Sequence, residues 1–207
     1  MKVTIIPNHS LSLRINSNSD KKEYMNSFAE LIKTRRSTRK FTDQLLSPEQ
    51  VELILKAALM SPSSKSRNPW QFLVIEDKEM LKKLAACKPH GANFLEGCAL
   101  AVIVMANIME GEAWIEDTSI ASIMMQLQAE DLGLGSCWCQ IRGRQTEDDM
   151  DSSQYIRNLF DIPYQIEVLS IIGFGYKGQE RKPFNEDNLQ WEKIHIGAYH
   201  KPEEKSE

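Results

Sequence analysis

Cysteine is sparse and poorly spaced for metal or redox work. The four residues are Cys87, Cys98, Cys137 and Cys139. The one close pair, Cys-Trp-Cys, has no histidine beside it to complete a zinc pattern. Its apolar setting predicts buried, reduced thiols. Long hydrophobic runs are missing as well: "ALAVIVMA" at 99–106 is too short to span a bilayer. The opening "MKVTIIPNHS" lacks the charged stretch and apolar core of a secretory signal, so a cytoplasmic location is the expectation. No G-x-G-x-x-G turn follows a first strand, which disfavours a dinucleotide-binding Rossmann domain. There is no excess of positive charge: the formal net charge is -4, and generic nucleic-acid binding is disfavoured with it. Neither a catalytic triad nor a carboxylate pair suggests itself. His9, His90, His195 and His200 read as surface residues, leaving no catalytic side chain and no metal site to assign.

What is present describes an ordinary globular protein. The 207 residues are 42% hydrophobic and 26% charged, enough for a core without disulfide or metal staples. The polar stretch "NSNSDKKE" marks residues 1–22 as an arm, 23–200 as one domain, and 201–207 as a polar tail. "EYMNSFAELIKTRR" has Met25, Phe28, Leu31 and Ile32 at helical spacing. In "LSPEQVELILKAALMSP", Ser47 reads as N-cap, Pro48 as first helical residue and Gln50 as its capping-box partner. Val51, Ile54, Leu55, Ala58 and Leu59 form that helix's apolar stripe. "WQFLVIE", "ALAVIVMA", "SCWCQI" and "EVLSIIGFGY" read as strands, and short helices are expected near Lys78 and over "SSQYIRNLF". In "DTSIASIMMQLQAEDLGLG", Ile120, Ile123, Met124 and Leu127 line one face, while Ala121, Met125 and Ala129 make the next face apolar too. A helix apolar over that much of its circumference is core or subunit interface. The order predicts an α+β sandwich with helices on both faces of a mixed-direction sheet of four or five strands.

Three stretches invite a ligand. "RRSTRKF" concentrates Arg35, Arg36, Ser37 and Arg39. Guanidinium groups make bidentate, charge-assisted bonds to phosphate, so the cluster is either an anion site or a helix end decorated to suit its dipole. "YKGQERKPF" supplies Lys177, Arg181 and Lys182 after glycines that let backbone approach a ligand. "SPSSKSRNPWQF" offers Pro62, Ser63, Ser64, Ser66 and Asn68, which suit either the edge of a heterocycle or a plain polar turn. Binding groups without an acid or nucleophile fit an enzyme whose cofactor does the chemistry.

In that order, these stretches resemble the FMN-dependent nitroreductase family. "RRSTRKF" looks like its R-R-S-x-R-x-[FY] motif and "SPSSKSRNPWQFLVIE" like its [AS]-P-S-x-x-N-x-Q-P-W-x-F motif. "LQAEDLGLGSCW" resembles its A-x-x-L-G-L-G helix end, and "IPYQIEVLSIIGFGY" the last strand and its glycine exit. The similarity runs from about Phe28 to about Trp191. It implies a homodimeric three-layer α/β/α fold, with a mainly antiparallel sheet and FMN at the subunit interface. By motif position, Arg35, Arg36, Ser37, Arg39 and Arg181 would hold the phosphate. Pro62, Ser63 and Ser64 would border the flavin from the partner subunit, with Ser66 and Asn68 where the family commonly has Asn and Gln. Gln140 and Ile141 would direct backbone groups at the flavin N5 edge, and Trp114 would either cap the flavin or pack between helices. The implied activity passes reducing equivalents from NAD(P)H through FMN to a nitroaromatic, quinone or similar small acceptor. A non-catalytic flavin-binding or interaction protein of the same fold is the alternative.

Overall fold

The computed structural model describes residues 27–199. The arm 1–22, Met25, His9, His200 and the tail 201–207 lie outside the described residues. Five α-helices and four strands alternate along the chain: α1 (Phe28–Thr34), α2 (Pro48–Leu59), β1 (Trp70–Ile75), α3 (Lys78–Ala85), β2 (Leu100–Asn107), α4 (Trp114–Asp131), β3 (Leu134–Gln140), α5 (Ser152–Phe160) and β4 (Ile166–Tyr176).

The strands form one sheet in the order β1-β2-β4-β3, and every neighbouring pair is antiparallel. The expectation of a mixed sheet is corrected here. Parallel pairing is confined to an isolated bridge between Ser37 and Ser136. Alternating helix and strand patterns suggest crossovers, but only the spatial order of strands decides direction, and that order is not readable from periodicity.

Strand residues of opposite parity feed two cores. Ala101, Ile103, Cys137, Cys139 and Ile171 pack with Leu81 and Leu84 of α3 and Ile156 of α5. Leu100, Val102, Val104, Ile172 and Phe174 pack with Ile54 and Ala58 of α2 and with Met125 and Ala129 of α4. "ALAVIVMA" is therefore buried on both faces, as a central strand must be. The α2 capping box forms as read: Ser47 Oγ accepts from the Gln50 N–H, and Gln50 Oε1 accepts from the Ser47 N–H. Leu59, expected in the stripe, ends on the surface at 58% exposure. On α4 the buried face is Asp117, Thr118, Ala121, Ser122, Met125, Gln126, Ala129 and Glu130. The face with Ile120, Ile123 and Met124 remains open, each residue 36–38% exposed.

One further piece of extended backbone closes the sheet end. The Thr38 N–H donates to the Ser136 carbonyl at 2.9 Å, the Thr42 N–H to the Tyr176 carbonyl at 3.0 Å, and the Gly178 N–H to the Lys40 carbonyl at 2.8 Å. Residues 37–42 thus lie along the start of β3 and the end of β4. Two glycines make the approach possible. A Cβ on Gly135 would stand 2.7 Å from Thr38 Cβ, Cγ2 and Oγ1, and one on Gly178 would stand 2.9 Å from the Phe41 backbone. Thr38 is 1% exposed.

All four thiols are free and buried. Cys87 and Cys139 sit in one core cluster, and the interaction of their thiols pushes Cys87 up and pulls Cys139 down. Burial, only partly offset by the nearby Lys78 charge and backbone hydrogen bonds, pushes the Cys98 thiol up to about 12 from an ordinary 9.0.

Two outcomes are expected. Gly135→Ala forces Thr38 and its segment away from β3, at a cost of about 1–3 kcal/mol for overpacking; urea unfolding measures it, and an unchanged midpoint would contradict this packing. Between pH 9 and 12 the folded state keeps the Cys98 proton that the unfolded chain releases. Stability should therefore fall as pH rises through that window, by up to about 1.4 kcal/mol per unit from this group. The corresponding check is alkylation of the native protein at pH 8, where rapid modification of Cys98 would contradict the burial argument.

Candidate functional site

The basic segment leaves its helix before most of its cations appear. α1 ends at Thr34, Arg35 caps it with φ -57 and ψ 118, and only Lys33 stands in its last turn. From Arg35 the chain runs extended onto β3, so a helix end decorated for its dipole is not what this stretch forms. Pairing with the sheet gives "RRSTRKF" alternate faces. Thr38 points into the fold beneath Gly135, while Arg35, Ser37 and Arg39 turn outward.

Those residues and Arg36 line a cleft of about 400 Å³, closed by Ile32 and Phe184. Arg181 enters the same cleft from the far end of the chain. The two segments are stitched together: Arg36 Nη1 donates to the Lys182 carbonyl at 3.0 Å, and the Phe184 N–H to the Lys33 carbonyl at 2.8 Å. Lys33 and Glu186 add an ion pair at 3.3 Å. Four guanidinium groups thus face one space with no carboxylate in its lining. A phosphate dianion fits such a donor set, which offers planar forks and a hydroxyl without a competing acid.

The other two basic residues of "YKGQERKPF" do different work. Lys177 bonds Glu130 of α4 at 2.9 Å, and that glutamate is buried. Gln126 Nε2 donates to Ser136 Oγ nearby. These contacts fix α4 against the sheet end that carries the basic segment. Lys182 contributes its carbonyl, as above, rather than its charge.

The loop from Pro62 to Asn68 lies elsewhere on the chain, and none of Pro62, Ser63, Ser64, Ser66 and Asn68 lines the arginine cleft. It is tightly organised. Ser63 Oγ donates to Asn68 Oδ1 at 2.6 Å and accepts the Asn68 N–H at 2.9 Å. The Ser64 N–H donates to Asp117 Oδ1 at 2.8 Å, and Arg67 Nη1 donates to the Glu110 carbonyl at 3.0 Å. An ordinary turn does not describe it: Lys65, Ser66 and Asn68 all hold left-handed backbone.

Gln140 ends β3 and lines a second cleft with Lys88, His90 and Arg144. Its side chain is engaged by Trp138 Nε1 and the Arg142 carbonyl, and its own carbonyl accepts from Lys88 Nζ at 3.3 Å. Ile141 is fully buried, and its N–H donates to the Leu169 carbonyl at 3.1 Å. The Ile141 N–H is thus paired with β4. Trp114 opens α4 beneath the Arg142 guanidinium, 5.9 Å from its ring centre, so it is a stacking partner of that cation.

Two residues escaped the sequence reading. Thr38, between cations, is the anchor of the basic segment. Asp117 is a buried carboxylate under the Ser63–Asn68 loop. Its spacing with Ala121, Met125 and Ala129 on one helix face was the available signal.

Comparison with known proteins agrees with this architecture. The Nitroreductase family model matches residues 32–89. A protein of Archaeoglobus fulgidus named "Putative NADH dehydrogenase/NAD(P)H nitroreductase" is 33% identical over 171 residues, covering 80% of this chain and 95% of its own. An "FMN reductase (NADPH)" of Bacillus subtilis is 30% identical over 134 residues, 55% of this chain and 54% of its own. Among solved structures, an FMN-dependent nitroreductase of Clostridium difficile superposes with a TM-score of 0.80 at 41% identity, covering 82% of this chain and 98% of that one. With a relative 33% identical over 80% of this chain and 95% of its own length, the chain belongs to the nitroreductase family.

Proposed function

We propose that this protein is a homodimeric, FMN-dependent oxidoreductase that takes reducing equivalents from NADH or NADPH and delivers them to a small acceptor such as a nitroaromatic or a quinone. The observation that carries the reading is the arginine cleft, where Arg35, Arg36, Arg39 and Arg181 converge with Ser37 around a space free of carboxylates. The names of the relatives support the choice of FMN and of NAD(P)H. Bound there, FMN would supply the two-electron chemistry that no side-chain constellation of this chain offers.

The chain's own part is to bind and orient. The guanidinium groups hold the phosphate, and Ser37 adds a hydroxyl at the same point. From Ser136, paired with Ser37, β3 runs four residues to Gln140, about 13 Å of strand. The sheet is thus a ruler from the phosphate cleft toward the cleft of Gln140, Lys88 and Arg144. With the Ile141 N–H committed to Leu169, we assign the ring-edge contact on this side to Gln140 and its neighbours.

A second copy supplies what one chain lacks. Arginine cleft and Ser63–Asn68 loop lie apart in the single chain, as expected if the loop serves the partner's flavin. Two apolar surfaces await cover: the Ile120, Ile123 and Met124 face of α4, and the carboxy-terminal stretch with Trp191, Ile194, Ile196 and Tyr199 exposed. Joined across them, two copies of the three-layer α/β/α chain would form the homodimer. Buried, reduced thiols suit a cytoplasmic setting.

Arg36→Ala is expected to weaken FMN binding by about 1.5–3 kcal/mol, roughly 10- to 150-fold in Kd, since it removes a charge-assisted contact and frees the Lys182 segment. Flavin fluorescence titration measures it. Unchanged affinity would remove Arg36 from the site, and a wild-type chain that takes up no FMN would overturn the whole reading.

A further inference from the structure

Asp117 stands in the first turn of α4 and is 3% exposed. Its Oδ1 accepts the Ser64 N–H at 2.8 Å, joining helix and loop across 53 positions of sequence. Its Oδ2 is buried with no hydrogen-bond partner among the described residues. A carboxylate held out of water with an empty lone-pair site is costly, so its retention calls for a role. The helix N-terminus lessens that cost but does not explain the contact.

The loop above it needs an external anchor. Lys65, Ser66 and Asn68 take φ of 54, 53 and 49. This is a region where the Cβ of an L-residue crowds the backbone, and glycine, which tolerates it, is absent from the loop. The bonds between Ser63 and Asn68 are internal and would travel with the loop if it moved. The Arg67 bond to Glu110 ends on another loop. Among the described residues, Asp117 is what ties the strained backbone to a long helix of the core, and it does so with a charged acceptor, the stronger kind.

We propose that Asp117 is a positioning residue: it holds the Ser63–Asn68 loop in its left-handed form, presenting a fixed edge of backbone and hydroxyl groups to the ligand. The part of the proposal that concerns FMN rests on the reading of this loop as flavin-bordering. The part that concerns loop order does not.

The test uses the full-length protein with Asp117→Ala, Ser66→Gly and the double variant. Trypsin cleavage after Lys65 and Arg67, followed by mass spectrometry without added flavin, reads loop order directly. Asp117→Ala should speed cleavage at these two bonds at least tenfold and raise the FMN Kd about tenfold. Ser66→Gly in the same chain should recover most of both losses, since glycine adopts the left-handed backbone without an anchor. Should Asp117→Ala fail to fold, Asp117→Asn carries the test: it keeps the Oδ1 acceptor and should remain resistant to trypsin at the loop. Unchanged cleavage in Asp117→Ala, a loss that Ser66→Gly leaves intact, or a loosened loop in Asp117→Asn would each overturn the proposal. If trypsin responds as expected while wild-type protein binds no FMN, the functional reading fails and the positioning role stands.

Discussion

The contact between Thr38 and Gly135 is the constraint on which the site depends. A threonine side chain fills the space where any other residue at 135 would carry its Cβ, and the backbone bond from Thr38 to Ser136 follows from that closeness. Because the segment is extended there, its odd-numbered cations share one side. Because it is pinned to β3, that side is fixed relative to the sheet. Charge repulsion among three neighbouring arginines would favour a splayed, mobile segment. Threonine burial and the ladder bonds to Ser136, Tyr176 and Gly178 oppose it, so the cations stay close together, as the proposed phosphate contact requires. The site is thus pre-organised by packing rather than by its own polar groups.

The same economy runs through the rest of the fold. α4 carries two kinds of residue on its buried side, apolar ones that pack on the sheet and polar ones that reach outward to other elements. Glu130 meets Lys177, Gln126 meets Ser136, and Asp117 meets the loop after α2. One helix therefore fixes the basic segment at its carboxy end and the strained loop at its amino end. Its third face, with Ile120, Ile123 and Met124, stays partly exposed. In the proposed dimer the helix would set both halves of a site that neither chain completes alone.

Much of this was legible from residues, and the limits have physical causes. The capping box of α2, the double-sided burial of β2 and the reduced thiols follow from local patterns, which act over a few positions. The arginine cluster was legible as an anion site or a helix end, the family resemblance named Arg181 with it, and Arg181 lines the same cleft from the chain's other end. What local pattern could not give was anything set by long-range pairing. Strand direction, the extended course of "RRSTRKF" and the engagement of the Ile141 N–H by Leu169 all depend on which strand lies alongside. On α4, hydrophobicity left core and subunit interface open for both apolar faces, because a seam for a partner and one for the sheet look the same in sequence. Asp117 was passed over for the opposite reason: a carboxylate reads as surface until its hydrogen bond is seen.

The central claim, a flavin held by the arginine cleft and reduced by a nicotinamide nucleotide, is tested most directly by the visible absorbance spectrum of the purified protein, taken anaerobically before and after NADH or NADPH. The account predicts flavin bands in the protein, either as purified or after adding FMN and removing the excess, that bleach when one of the nucleotides is added. A protein that stays colourless after exposure to FMN, or one whose bound flavin neither nucleotide bleaches, would contradict it.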